Sequence, residues 1–462
     1  MRADLLAGAI AGLDDALAAV DAVDRVLVAG LLRPQPAQAA DLTRLAASVT
    51  GTPLAARVAE AADKAAAGTA GPEHLLALAA ARTALLGSVH DALTDRVAAA
   101  TGRAVDEWES APPAAATPSN LQDAACAWLS DLARSGWQGI DADLVAGATP
   151  VVTAMLPDPA LRRLATVLDG FAAELAASCP GASLHRIPAR RWGDLWSRAM
   201  LLTRSGVADS PAAGTVTGRL LPLGVDLHEH GTAAQAQVHA VFEPADGGAP
   251  RLVRASVSVP KPQTVVGAGV WQLLRPHLSL LAAAGDAHAV EVADMPITAE
   301  GDLLWQDELA TRAADADPFA TARLVLPTAT AAAVAPLDRH PARIAEPVFL
   351  DGYTVEGEPE ALTFTIAGQR IPVDTDRIPA ASPLTPATVA ASTACIGLLR
   401  WDDGAFVVQP LAVLAVVKRK TVAVHAGAWA AGTTDKVGAK AEKAATAAVD
   451  ALRERAGKLL RA

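Results

Sequence analysis

Leu6, Ile10, Leu13, Leu17, Val20, Asp24 and Leu27 step by four and three along the opening of the chain, and Asp24 is the single polar member of the row. Such a seam predicts a helix running up to Ala29 and packed lengthwise against a neighbouring helix. Gly30, Pro34 and Pro36 close it. Shorter helices are expected over residues 37–49 and 53–67. A long one follows over 72–101, with Leu75, Ala79, Arg82, Leu86, Val89, Leu93 and Val97 along one stripe. Residues 101–118, with Gly102, Pro112, Pro113, Pro118 and the acids Asp106, Glu107 and Glu109, read as a loop. Ser119 then suits an N-cap, with Leu121, Ala125, Trp128 and Leu132 inward. Over 158–178, Leu161, Leu164, Leu168, Phe171 and Leu175 repeat the 4-3 seam, with Asp158 as cap and Pro159 in the first turn.

The strongest helical pattern stands at 188–206. Pro188 suits its first turn and Gly206 its stop. Trp192, Leu195, Trp196, Ala199 and Leu202 share one face, while Arg191, Asp194 and Arg198 lie on the other, spaced so that the aspartate can pair with either arginine. The chain holds nine tryptophans and is only 3% aromatic. Two tryptophans on one helix therefore mark a domain junction. That face reads first as ordinary core and otherwise as an exposed docking face, for which Trp192, Trp196, Arg191 and Arg198 are the candidate partner-binding residues.

Beyond Gly206 the pattern turns to short alternating segments bounded by Gly, Pro and Asp. Strands are expected at 220–229 and 235–243 as a hairpin about Gly231, and at 251–259. A helix over 266–284, broken at Pro276, interrupts them. Further strands are expected at 289–292, 303–306, 322–326, 344–350, 362–367, 369–373, 396–401, 405–409 and 411–417, with a tight turn at Asp403-Gly404. The expected fold is α+β. It comprises an all-helical N-terminal array over 1–205 (loop at 102–118) and a mixed, mainly antiparallel β-rich domain over 207–430, divided by the Pro-rich 372–386. A basic C-terminal helix over 434–462 completes it.

Composition narrows the function classes. The 462 residues allow two or three domains, and the 52% hydrophobic content comes mostly from alanine, with no run of about 18 strongly apolar residues. No basic, then apolar leader opens the chain, so a soluble, cytoplasmic protein without a membrane role is expected. Fifty acidic residues against 39 basic ones give a net charge of −11, which disfavours broad nucleic-acid binding. Cys126, Cys179 and Cys395 form neither a disulfide framework nor a zinc pair.

Candidate chemistry is sparse. His228 and His230 lie two apart on a strand, so both imidazoles point to one face together with Asp226, as a metal site would need. His239 is expected to pair near Val225 and to point to the opposite face. A row along one strand is also too spread for one ion, so no metal is assigned. The stretch Gly432–Lys440 has the wrong spacing for a phosphate loop, and no nucleophile elbow or zincin motif occurs. Lys418, Arg419 and Lys420 form one compact basic spot, either a solvated turn or a phosphate or nucleic-acid contact. Asp338, Arg339, His340 and Arg343 read as a polar pocket rim or an ordinary loop. No catalytic residues and no cofactor are expected.

The segments at 190–200 (Arg-Arg-Trp-Gly-Asp-Leu-Trp-Ser-Arg-Ala-Met) and 221–230 (Leu-Pro-Leu-Gly-Val-Asp-Leu-His-Glu-His) resemble uncharacterised actinobacterial proteins encoded near MoxR-type ATPases and SWIM-finger proteins. The chain itself lacks a SWIM Cys/His signature and an ATPase loop. The resemblance implies an accessory role in a multi-protein system. The expected function is thus a non-catalytic accessory or scaffold protein, its partner another protein, an ATPase-containing complex among the options. The alternatives are an enzyme of unrecognised type, with a pocket in the β-rich half near His228, His230 or Arg339, and a nucleic-acid module using Lys418–Lys420.

Overall fold

The computed structural model describes residues 1–108, 119–204, 212–380, 382–417, 419–433 and 436–459. The N-terminal half holds α1 (Leu13–Ala29), α2 (Pro36–Ser48), α3 (Ala55–Ala66), α4 (Pro72–Thr101), α5 (Asn120–Ser135), the short α6 (Ala142–Ala146) and α7 (Ala148–Met155), α8 (Arg162–Ala177) and α9 (Ala189–Leu202). Local chemistry sets several boundaries. Ser119 accepts from the Gln122 N–H at 3.3 Å while the Gln122 side chain accepts from the Ser119 N–H at 2.9 Å, a reciprocal cap on α5. Asp158 caps a short turn at Pro159–Leu161 that leads into α8. Pro188 precedes α9 rather than opening it, and its expected stop, Gly206, lies outside the described residues.

The first helix starts later than its seam predicts. Gly12 takes the left-handed φ of 75°, so α1 begins at Leu13. The preceding chain is held instead by Arg96 of α4, which donates to the carbonyls of Leu5, Gly8 and Ala9 at 2.8, 2.9 and 3.2 Å. Leu6 and Ile10 still pack inward, but from an irregular segment.

The second half opens with β1 (Ala212–Glu229), β2 (Ala233–Pro244) and β3 (Arg251–Pro260), then α10 (Val270–Leu273) and α11 (Leu278–Gly285), separated at Pro276 as expected. Next come β4 (His288–Thr298), β5 (Asp302–Leu303), β6 (Ala310–Asp315) and α12 (Pro318–Leu324). A strand expected at 322–326 is thus largely helix. Asp317 caps it through the Phe319 N–H at 2.9 Å, and Pro318 sits in the first turn, where its missing N–H costs nothing. The chain continues through β7 (Glu346–Asp351), β8 (Thr354–Glu356), β9 (Thr363–Ile366), β10 (Gln369–Pro372), α13 (Pro386–Ala390), β11 (Ser392–Asp402), β12 (Ala405–Val417), β13 (Lys420–His425) and α14 (Lys436–Leu459). The two segments expected at 405–409 and 411–417 form one strand through Pro410. Asp403 and Gly404, both at positive φ, make the tight turn before it.

Two sheets dominate. One runs β1-β2-β3-β5-β4-β6, and β1 also pairs with β4, so its strands close into a ring. The other runs β13-β12-β11-β7, and β8, β9 and β10 form a small third sheet. Among the described strands all pairings are antiparallel except β3 with β5. The two large sheets face each other across Leu221, Leu223, Val241, Ile396 and Ala412. Helices α10 and α11 cover the far side of the first sheet.

The far side of the second sheet meets the N-terminal half. Val89, Leu93 and Val97 of α4, with Leu13 of α1, share one core with Val348, Leu350, Cys395, Leu399 and Val413. Leu75, Leu78 and Leu86 of the same helix lie in the helical core. One stripe on α4 therefore serves two cores, and the two halves share apolar interior. Leu93→Ala should cost about 2–5 kcal/mol and lower amide protection in α4 and in β7 and β11 together. Protection lost from the helices alone, measured by hydrogen exchange, would show that the halves fold independently.

Candidate functional site

Arg82 projects from the apolar stripe of α4 into the helical core, with only 1% of its side chain exposed. Its Nε and Nη2 meet the two oxygens of Asp24 at 2.7 and 3.1 Å, and its Nη1 meets Asp194 Oδ1 at 2.6 Å. Nη2 also donates to the carbonyl of Arg190 at 3.2 Å. Asp24, the polar intruder in the first seam of α1, is therefore a counter-ion for a charge on α4. The close approach needs a glycine: a Cβ on Gly193 would stand 2.5 Å from Asp24 Oδ1 and 2.9 Å from Arg82 Nη2. Burial opposes the Arg82 charge, but Asp24 and then Asp194 outweigh it and raise its hold on the proton. Burial pushes the Asp24 carboxyl up while Arg82 pulls it down. With two nitrogens of a permanently charged guanidinium on its two oxygens, the group is an ionised partner.

The same network reaches the other half. His340 Nε2 lies 3.1 Å from Asp194 Oδ2. Burial alone would raise the Asp194 carboxyl, but the close approach of His340 and the Arg82 charge bring it below its ordinary value. Two residues earlier in the same loop, Asp338 accepts from Arg163 of α8 at 2.8 Å, and from Arg198 of α9 and Arg343 at 2.7 Å each. Arg339 donates to Asp91 of α4 at 3.0 Å. The segment expected to be a pocket rim is thus the clamp between the halves. Asp194 and Arg198 look across this junction rather than to each other, and Arg191 pairs with Glu174.

A second polar cluster lies between the two large sheets. Asp226 of β1 accepts from Arg400 Nη2 at 2.7 Å and from Gln409 Nε2 at 2.8 Å, and His228 Nε2 stands 3.0 Å away. Arg400 in turn donates to Gln409 Oε1 at 2.6 Å. His239 joins this face, contrary to the expectation that it points away. Glu229 pairs with Ala234, so His239 falls opposite Gly224, not Val225. A one-residue difference in register moves a side chain to the other face. Gly224 itself allows the sheets to close, because a Cβ there would lie 2.7 Å from Leu411 Cβ.

No protein-family model, curated protein or solved structure matches this chain.

Trp192 and Trp196, read as ordinary core with a docking face as the alternative, are core residues at 1% and 0% exposure. Trp137 meets Trp192 edge to face at 6.1 Å and Phe171 at 5.9 Å, and Trp128 meets Phe171 at 6.1 Å. Trp196 Nε1 donates to the Leu129 carbonyl at 2.9 Å, which removes the cost of burying that N–H. Arg191 remains exposed on its ion pair with Glu174, while Arg198 is taken by Asp338. His228 is bound to Asp226 and His230 is exposed beyond the strand. Among the described residues no three metal-ligating side chains gather. Arg419, at φ 65°, and Lys420 form the exposed β12–β13 turn, and Lys418 lies outside the described residues. No described helix is long and apolar enough to cross a membrane.

Two open clefts occur elsewhere. The larger, about 580 Å³, is bordered by Asp106, Thr215, Thr217, Phe242, Arg251 and Thr330, and the Asp106–Arg251 pair at 2.7 Å sits on its edge. The smaller, about 300 Å³, runs between Leu6–Ile10 and Ile371, Trp401 and Phe406. Neither is lined by His228, His230 or Arg339. Sequence reasoning overlooked Arg400 and Gln409. Their signal was a lone charge and a lone amide inside otherwise apolar strands.

Two measurements follow from these networks. Arg82→Met strands a buried carboxylate and should cost about 3–5 kcal/mol. Adding Asp24→Asn should recover part of that loss; equal or greater loss in the double variant would deny the coupling. Burial keeps His239 neutral, its pKa lowered to about 3, and Asp226 is held well below the usual carboxylate range: burial would raise it, but His228 and Arg400 prevail. The unfolded imidazole takes up its proton near pH ~6.5, so His239 costs stability progressively as pH falls from there toward 3. Asp226 adds a further loss at lower pH, below the unfolded carboxyl value. His239→Gln should flatten the urea midpoint between pH 6.5 and 4, and an unchanged slope would count against this assignment.

Proposed function

We propose that this protein is a non-catalytic accessory subunit that works through contacts with another protein. The observation that carries this reading is the arrangement of α14. Among the described residues its hydrogen bonds to the body lie in its first half: Gln272 Nε2 donates to the Glu442 carbonyl at 2.8 Å and Thr446 Oγ1 donates to Gln272 Oε1 at 2.8 Å. Ala447, Ala451, Arg453, Arg455 and Lys458, beyond that point, are exposed. The ion pairs there, Arg453–Asp450 and Lys458–Glu454, are internal to the helix. A helix of basic character thus stands out from a chain of net charge −11.

This reading rests on α14 and not on α9. It accords with the resemblance to actinobacterial proteins encoded near MoxR-type ATPases, and an ATPase-containing assembly is the partner we propose. Residues 447–458 are mostly exposed, so removing 447–462 should change stability by no more than about 0.5 kcal/mol. The same truncation should abolish recovery of a stoichiometric partner that the full chain brings down from its native host. A full chain that stays monomeric under mild lysis, with no stoichiometric companion, overturns the reading.

A further inference from the structure

Arg198 and Arg343 donate to the same oxygen of Asp338, Oδ1, each at 2.7 Å, while Arg163 takes Oδ2 at 2.8 Å. A clamp between α9 and the 334–343 loop requires one such bond. A second guanidinium on the same oxygen brings like charges together, and neither Arg198 nor Arg343 has another acidic partner among the described residues. Arg254 stands near enough to be felt by Arg343, although its own charge is spent on Asp302 at 2.8 Å. Burial, followed by the neighbouring Arg198 charge, weakens the hold of Arg343 on its proton. Its side chain is nonetheless 54% exposed, so its remaining donors are open to solvent. Arg198, at 20%, is also within reach of solvent.

Positive charge gathered here runs against a chain of net charge −11, so it is not the overflow of a basic surface. A guanidinium carries several N–H donors, and each of these arginines spends one on Asp338. Planar guanidinium forks match the oxygens of phosphate and carboxylate, and they bind them by paired, charge-assisted hydrogen bonds. Asp338 meanwhile holds the cations together, so the arrangement does not have to be assembled when an anion arrives.

We propose that Arg198 and Arg343, with Arg163 beside them, form a binding site for a phosphate-type oxyanion. Asp338 is the internal anion that keeps the site organised while it is empty of ligand. The oxyanion is either free phosphate or the phosphoryl group of a larger metabolite; the chemistry recognised is the same.

The test uses the full chain and titration calorimetry at constant ionic strength, with inorganic phosphate and glycerol 3-phosphate as probes and chloride as the balancing salt. Saturable one-site binding of either probe is expected. Tighter inorganic phosphate identifies the free ion as the ligand, and tighter glycerol 3-phosphate a phosphoryl group on a larger molecule. Arg343→Gln, at an exposed position and with Arg163 and Arg198 still on Asp338, should weaken binding about tenfold or more, the equivalent of one charge-assisted hydrogen bond. Asp338→Asn gives an independent reading: without its internal anion the cluster should lose thermal stability, and phosphate should restore it. No saturable binding to the wild-type chain overturns the proposal. So does unchanged affinity in Arg343→Gln, or an Asp338→Asn variant that phosphate stabilises no more than chloride does.

Discussion

A guanidinium that cannot lose its charge has been taken out of water at Arg82, and much of the N-terminal half is arranged to accommodate it. The penalty for burying an isolated charge is several kcal/mol, and only close, well-aligned partners offset it. Asp24 must therefore interrupt the apolar seam of α1, Gly193 must lack a side chain, and Asp194 must face inward from α9. Because Asp194 also meets His340, the requirement extends into the second half of the chain. The junction is consequently specified by charge as well as by the apolar core that α4 shares with β7 and β11.

The contact between the two large sheets follows a similar rule on a smaller scale. Its apolar part is built from Leu221, Leu223, Val241 and Ile396, and its polar part from Asp226, Arg400 and Gln409, each of which satisfies the others. Buried polar groups that complete one another's hydrogen bonds fix a single stacking, whereas an apolar face alone tolerates sliding. Both clusters spend acids, histidines and arginines on architecture. Reactive residue types inside this protein are therefore poor guides to chemistry, and its contacts with other molecules are better sought where charge is in excess or a helix is unsupported.

The tryptophans illustrate how burial redirects a functional reading. An amphipathic helix with two indoles fits a docking surface, but it fits a core helix equally well. Trp192 and Trp196 are enclosed because α5, α8 and the turn at Trp137 supply edge-to-face neighbours and a carbonyl for the indole N–H. The terminal helix has a weaker apolar side, dominated by alanine. It buries little area per residue, and its distal turns stay exposed.

The sequence by itself determined whatever neighbouring residues along the chain decide. The 4-3 seams of α4 and α8, the caps at Ser119 and Asp158, the break at Pro276, the Asp403-Gly404 turn and the change from helices to mainly antiparallel strands were all legible there. Each depends on periodicity or on backbone chemistry within a few residues. The same local information misplaced the start of α1 and read α12 as a strand, where a positive-φ glycine and an Asp-Pro cap prevailed over the apolar pattern. Only the tertiary structure decided which charge meets which: Arg82 finds Asp24 across 58 residues and Arg400 finds Asp226 across 174. Such pairings are set by packing between distant elements, and in the case of His239 by a single residue of strand register. Periodicity marks which face a residue lies on within its element, but not what stands opposite once the elements have closed together.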